Sequence, residues 1–178
     1  MTTKSASKRT ITALVQDKPG VLNRISSMFR RRGFNIASLA VGRSETPNLS
    51  RMTFVVEGDD AVVEQVARHL HKLIDVIEVS DMSEQNIVSR ELALIKVKTT
   101  NHNRSEIMQI TSAFRANIID VTQTSFIIEV TGTEQKIDSL EDLLRGFGVA
   151  EVMRTGMVAM GRGVNTLPAD NTQNEPNH

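Results

Sequence analysis

The chain contains no cysteine, tryptophan or tyrosine, and only four of its 178 residues are histidine. Without cysteine it can form no disulfide, no thiolate metal site and no cysteine nucleophile. Without Trp and Tyr it has few aromatic faces on which a nucleic-acid base could stack. The absence of cysteine also fits a reducing compartment, and we expect the protein to be cytoplasmic.

An excess of charge and long apolar runs are missing as well. The chain has 21 Lys plus Arg and 21 Asp plus Glu, which gives a formal net charge of zero. This balance removes the electrostatic attraction towards nucleic acid or an anionic membrane. Residues Met1 to Arg9 are polar, and no later run has the apolar length of a membrane span. We therefore expect neither nucleic acid nor membrane as a partner, whereas neutrality favours association with other protein chains.

The sequence shows no recognisable catalytic or metal-binding motif. His69 and His71 are two residues apart on a predicted helix, so they face different directions and cannot share a metal ion. Asp59 and Asp60 directly precede that helix, where carboxylates cap free N–H groups. Gly161-Arg162-Gly163 lacks the third glycine of a dinucleotide site. We expect no catalytic residue, no metal site and no cofactor in this chain.

The sequence does contain one pattern of secondary structure that occurs twice. Alternating residues from Thr10 to Val15 predict a strand, and apolar residues at helical spacing then predict a helix that ends at Gly33. Two strands, a second helix and a short strand follow, and the order begins again at Glu91. The last predicted strand is Val149 to Val158. The repeated order predicts an α+β fold of two consecutive ferredoxin-like βαββαβ domains, with antiparallel sheets and helices on one face.

Composition sets the predicted domain limits. The two domains are expected at residues 9–80 and 91–162, and the polar segment 81–90 is expected to be a linker. Residues 163–178 are rich in Asn, Thr and Pro, which predicts a disordered tail. In the second domain, Asn103 and Glu106 have the spacing of a helix capping box.

The turn between the first strand and the first helix is the most informative segment, with the sequence Asp17-Lys18-Pro19-Gly20-Val21-Leu22. A strand that turns through Pro-Gly into a helix leaves free backbone N–H groups directed at one small spot, which suits a carboxylate. Asp17 beside them could bind an ammonium group, so the turn is typical of a receptor for a free amino acid. A turn without a ligand is the alternative interpretation.

The second copy of the pattern helps to choose between these interpretations. Its corresponding connection is Thr99-Thr100-Asn101-His102-Asn103, which has neither Pro-Gly nor an acidic residue. If the first turn were only a requirement of the fold, the repeat should show a similar one. The difference favours a ligand site in the first domain and another task for the second.

Asn35 follows the glycine that ends the first helix. Its amide can offer a ligand both a donor and an acceptor. An Asn at such a position also commonly bonds to nearby backbone. From the residue alone, the two interpretations remain open.

Together these segments resemble a known family. Asp17 to Leu22 followed by Gly33-Phe34-Asn35-Ile36 resembles the amino-acid-binding ACT domain. Longer strings resemble the regulatory small subunit of acetolactate synthase, also called acetohydroxyacid synthase, and the similarity runs from about Arg9 to Arg162. The strings are Leu49-Ser50-Arg51-Met52-Thr53, Leu70-His71-Lys72-Leu73-Ile74-Asp75-Val76, Ser89-Arg90-Glu91-Leu92, Ile118-Ile119-Asp120-Val121-Thr122 and Met153-Arg154-Thr155-Gly156.

The resemblance implies a non-catalytic subunit that forms a homodimer through its ACT domain. Such a subunit binds valine at the dimer interface, with leucine or isoleucine as further candidates. It activates a separate catalytic large subunit and confers feedback inhibition in branched-chain amino acid biosynthesis. Thiamine diphosphate, magnesium and FAD would belong to that large subunit and not to this chain.

The resemblance also implies an effector site. We expect the N–H groups from Gly20 to Leu22, including that of Val21, to hold the effector carboxylate and Asp17 to bind its ammonium group. Asn35 from a neighbouring chain would close the site, with Ile36 close by. Some members of the family carry Asn at the position of Asp17.

Three other functions remain as alternatives. One is a stand-alone amino-acid-sensing ACT protein that regulates another enzyme. A second is an RNA-binding βαββαβ module. The third is a small phosphate or acyl-phosphate hydrolase that uses the helix N-terminus, with Arg24 or Asn35 as participants.

Overall fold

The structure is a computed structural model that describes residues 7–163. Apart from Gly163, the predicted disordered tail lies outside the described residues. The described chain divides into two compact units, one formed by residues 7–37, 41–88 and 160–163 and the other by residues 38–40 and 89–159. None of the helices within residues 7–163 combines the length and apolar character needed to cross a membrane.

The first unit has the predicted element order βαββαβ along the chain. The strands of its sheet lie in the spatial order β2-β3-β1-β4. Strand β1 is antiparallel to both β3 and β4, with Lys8 opposite Glu57 and Gln16 opposite Leu49 on β3. The elements are β1 (Lys8–Gln16), α1 (Val21–Arg32), β2 (Ile36–Arg43), β3 (Leu49–Glu57), α2 (Asp60–Leu70) and β4 (Val76–Asp81).

Both helices of this unit bury an apolar stripe. On α1 the ring of Phe29 stacks on that of Phe54 from β3, with the ring centroids 5.4 Å apart. Asp59 caps α2 as predicted, because its side chain accepts a hydrogen bond from the Val62 N–H. The residues with buried side chains on the two helices are Val21, Ile25, Met28, Phe29, Val63, Val66 and Leu70.

The second sheet has the strand order β6-β7-β5-β8, and β9 also pairs with β5. Its elements are β5 (Ile87–Lys98), α3 (Arg104–Ala113), β6 (Asn117–Val121), β7 (Ser125–Gly132), α4 (Glu134–Arg145), β8 (Val149–Arg154) and β9 (Val158–Gly161). Its buried core comes from both helices and the central strands, namely Ala93, Ile95, Val97, Ile107, Phe126, Ile128, Val130, Ile137, Leu140 and Leu144.

The structure corrects three of the local predictions. The last strand, predicted as Val149 to Val158, is two strands with a break at Gly156, whose φ of 81° favours glycine. Much of the predicted linker 81–90 is strand, because β4 ends at Asp81 and β5 already begins at Ile87. Asn103 forms no capping box, since its side chain bonds to the Thr100 N–H and not to the helix.

Replacement of Phe54 tests the core of the first unit. Phe54 is fully buried, so Phe54→Ala should lower the free energy of unfolding by about 3–5 kcal/mol. Ile119→Ala on the exposed part of β6 should change it by less than about 0.5 kcal/mol. Urea denaturation followed by circular dichroism measures both, and equal effects would contradict the assigned core.

Candidate effector site

Two backbone hydrogen bonds fix the end of β1 and the start of the turn. The Gln16 N–H donates to the Asp75 carbonyl at 2.8 Å, and the Asp17 N–H donates to the Asn48 carbonyl at 2.7 Å. The turn then passes through Gly20, whose φ of 87° and ψ of −11° lie in the left-handed region. Because a glycine stands at the N-cap position, no side chain caps α1.

Helix α1 therefore begins with unused backbone donors. Among residues 7–163, no acceptor pairs with the N–H groups of Gly20, Leu22 or Asn23. The Val21 N–H reaches the Lys18 carbonyl only at 3.5 Å. Free N–H groups at the positive end of a helix dipole form a site that suits a carboxylate.

Asp17 lies exposed at the start of the same turn. Within the described part of the chain its carboxylate has no ion pair and no hydrogen bond. Leu22 is 48% exposed, whereas the side chain of Val21 is only 4% exposed and belongs to the core. Asp17 is thus available to an ammonium group and Leu22 to an apolar side chain, while Val21 can offer a ligand only its N–H.

A buried ion-pair cluster beneath the turn escaped the sequence analysis. The Asp75 carboxylate, 2% exposed, lies 2.7 Å from Lys18 Nζ and 2.6 Å from Arg24 Nε. The close contact with Lys18 lowers the pKa of Asp75, burial acts in the opposite direction, and the charge of Arg24 lowers the pKa further. Asp75 immediately precedes β4, but nothing in the local sequence shows that it meets residues of the first turn.

The charges around the turn balance. Lys18 and Arg24 contribute two positive charges, and Asp75 together with Asp17 contributes two negative ones. A neutral site with separate positive and negative ends matches a zwitterion better than a bare anion. Arg24 Nη2 also lies 4.0 Å from the place that a Cβ on Gly20 would occupy, so the guanidinium flanks the glycine.

Asn35 and Ile36 lie at the other end of the sheet. The Asn35 Nδ2 donates to Glu57 Oε2 at 2.7 Å, and Glu57 pairs with the first residue of β1, whereas the turn follows its last residue. The 12 residues of α1 separate the two regions, a helix length of roughly 18 Å. A single chain therefore does not bring Asn35 or Ile36 to the turn.

The second unit repeats the hydrogen bond of Asn35. Asn117 also follows a helix, and its Nδ2 donates to Glu129 Oε1 at 3.4 Å. The bond through Nδ2 is therefore a feature of the fold in both units. Among the described residues, Asn35 Oδ1 has no donor, which leaves it available to accept a hydrogen bond.

Within residues 7–163, no group of three or more His, Asp or Glu side chains is arranged to hold a metal ion. His69 instead lies beside the ring of Phe34, with the ring centroids 6.3 Å apart.

The first half of the chain is a βαββαβ unit in which a glycine turn leads into an uncapped helix, and a second ferredoxin-like unit follows it. The family profile described as "AHAS small subunit-like ACT domain" matches residues 11–78. The profile described as "Small subunit of acetolactate synthase" matches residues 90–163. These matches place an ACT domain in the first half of the chain.

Whole-chain relatives identify the family. The chain is 56% identical over 156 residues to the Archaeoglobus fulgidus protein named "Probable acetolactate synthase small subunit", covering 88% of this chain and 98% of that one. It is 48% identical over 160 residues to the acetolactate synthase small subunit of Mycolicibacterium smegmatis, covering 90% and 94%. The chain belongs to the family of acetolactate synthase small subunits.

A solved structure confirms the predicted fold. The crystal structure of the acetolactate synthase small subunit from Thermotoga maritima is 43% identical in sequence and gives a TM-score of 0.83. The match covers 88% of this chain and 98% of that chain. The predictions of the family and of two ferredoxin-like units are therefore both confirmed.

Neutralising Asp75 tests the cluster beneath the turn. Because the folded-state pKa of Asp75 is lowered, its ionised form stabilises the fold at neutral pH, and this contribution is lost as the pH falls through the lowered pKa. Asp75→Asn should therefore have a lower Tm than the unmodified chain at neutral pH.

The Tm difference should shrink as the pH falls below the ordinary carboxyl pKa of 3.8. Asp120→Asn, at an exposed position on β6, is the control and should leave the neutral-pH Tm nearly unchanged. Thermal unfolding across this pH range measures both variants. A Tm difference that is independent of pH would contradict an ionised Asp75.

Proposed function

We propose that this chain is the non-catalytic regulatory subunit of an acetolactate synthase and that it binds valine at the β1–α1 turn. The main support is the uncapped start of α1, where the free N–H groups of Gly20, Leu22 and Asn23 lie beside the unpaired Asp17. This arrangement offers donors for a carboxylate and an acid for an ammonium group within one turn.

The proposed contacts assign each end of the amino acid to a group of the site. The carboxylate binds the N–H groups at the start of α1, and the ammonium group lies between Asp17 and the Oδ1 of Asn35 from a second chain. The apolar side chain contacts Leu22 and Ile36. One methylene is worth only about 1–3 kcal/mol in such a niche, so leucine and isoleucine should bind more weakly but measurably.

A homodimer would bring Asn35 of one chain close to the turn of the other chain. Strand β2 is the terminal strand of its sheet and runs from the Asn35 end to Arg43. The Arg43 end lies on the same side as the turn, because the adjacent Ser44 N–H bonds to Leu49, which pairs with Gln16. If the β2 strands of two copies lie antiparallel, Asn35 of each chain approaches the turn of the other, which gives two equivalent sites.

Feedback inhibition then requires that valine favour the less active arrangement of the whole complex. The strength of this inhibition is set by the coupling free energy between the effector site and the distant catalytic site. In this proposal the large subunit carries out the reaction and holds thiamine diphosphate, magnesium and FAD. The present chain supplies activation and valine sensitivity. A stand-alone ACT sensor would bind valine in the same way but would not associate with that large subunit.

Valine titration of the purified chain tests the turn. Gly20→Asp should weaken valine binding by more than about tenfold, because it places a carboxylate among the N–H donors and a side chain at a φ of 87°. Isothermal calorimetry measures the affinity of each variant.

The matched control is Gly148→Ala in the second unit, where φ is 97°. This change introduces comparable backbone strain, about 1–2 kcal/mol, at a position far along the chain from the turn. It should leave the valine affinity unchanged. If Gly20→Asp bound valine as tightly as this control, the turn would not be the binding site.

Reconstitution tests the proposed role as a subunit. Adding this chain to its cognate catalytic chain should raise the rate of acetolactate formation and make that rate sensitive to valine. The Gly20→Asp variant should still activate the enzyme but should lose valine inhibition, because only its effector site is damaged. If neither the rate nor the valine sensitivity changed on adding the unmodified chain, the regulatory role would be wrong.

A further inference from the structure

The connection between β5 and α3 in the second unit has the same kind of open helix start as the effector turn. The Asn103 Oδ1 accepts a hydrogen bond from the Thr100 N–H at 2.7 Å, so it does not cap the helix. In the described part of the chain, the N–H groups of Arg104, Ser105 and Glu106 have no acceptor. Helix α3 is 10 residues long, and these donors stand at its positive end.

A second, independent observation concerns the hydroxyl group of Thr99. It is only 5% exposed, and its Oγ1 has no hydrogen-bond partner among residues 7–163. It directly follows β5 and continues the alternation of buried positions that includes Ile95 and Val97, which places its side chain on the inward side of the sheet. A buried hydroxyl without a partner is costly, which indicates that another group meets it.

Arg104 brings a charge to the same place. Its guanidinium lies 5.3 Å from the centre of the Phe126 ring, and its Nη2 donates to the Thr122 carbonyl at 2.6 Å. Its Nε is buried and has no partner within the described residues. Phe126 stands opposite Val97, so Arg104 lies over the sheet near the end of β5. Two buried donors and three backbone N–H groups thus occur at one end of this unit.

We propose that the start of α3 binds a small oxyanion that carries no ammonium group, such as a phosphate group or a simple carboxylate. Thr99 Oγ1 and Arg104 Nε donate to the anion together with the free N–H groups of the first helical turn. Residues 99–103 contain no acid that could bind an ammonium group, unlike the turn with Asp17. Glu106 is exposed in the first turn of α3 and does not share the buried position of Thr99. This site is independent of the valine site proposed for the first unit.

Amide NMR spectra of the full-length chain test this proposal with inorganic phosphate, acetate and valine as separate probes. Phosphate or acetate should shift the amide signals of Arg104, Ser105 and Glu106 and reach saturation at millimolar concentration. The anion that saturates these signals at the lower concentration identifies the source as phosphate-like or carboxylate-like. Shifts that rise linearly without saturation for both anions would overturn the proposal, and so would valine saturating these amides as readily as the two anions.

Two variants make the test specific. Thr99→Val keeps the shape of the side chain but removes the hydroxyl, and it should weaken anion binding at least about fivefold. Thr131→Val, at an exposed position on β7, is the control and should leave binding unchanged. Arg104→Gln provides a second test if Thr99→Val does not fold, and it should also weaken binding. Unchanged affinity in a folded Thr99→Val or Arg104→Gln chain would overturn the assignment.

Discussion

The buried carboxylate of Asp75 anchors the turn between β1 and α1. It holds Lys18 from the turn and Arg24 from the first part of α1, and the carbonyl of the same residue accepts the Gln16 N–H. Because Asp75 uses these two cations, the acid Asp17 remains without a partner among the described residues. The free N–H groups at the start of α1 and the carboxylate of Asp17 therefore lie on one turn, which the ion pairs of Asp75 hold in place.

The second constraint is the distance between the two halves of the proposed site. Asn35 lies at the opposite end of the sheet from the turn, and its Nδ2 is already bound to Glu57. A site that uses both parts must join two chains, so in the proposed dimer effector binding and association of the ACT units would stabilise each other. This linkage would give a small ligand a means of acting on a larger complex, because the ligand would bind at a contact between subunits and not within one of them.

Local patterns were sufficient to predict most of the fold. The alternation around Ile11 and the helical spacing that includes Ile25 predicted elements that the structure contains, and the repeat predicted the second unit. The wrong predictions depend on details of the backbone that the sequence pattern does not show. They are the turn at Gly156 and the hydrogen bond from the Thr100 N–H to the side chain of Asn103.

The candidate site was only partly accessible from the sequence. The helix donors follow from the order of strand, glycine turn and helix, so Asp17 and Gly20 could be chosen without a structure. The contact of Asp75 with the turn joins residues more than 50 positions apart, and no periodicity contains that information. The most direct test of the central claim, a site shared between chains, is valine binding by a mixture of Gly20→Asp and Asn35→Ala chains. Each variant alone should bind little valine, whereas an equimolar mixture after subunit exchange should recover about one quarter of the sites, because half of its dimers carry one intact site. A mixture that binds no more valine than the two separate variants would contradict the shared site.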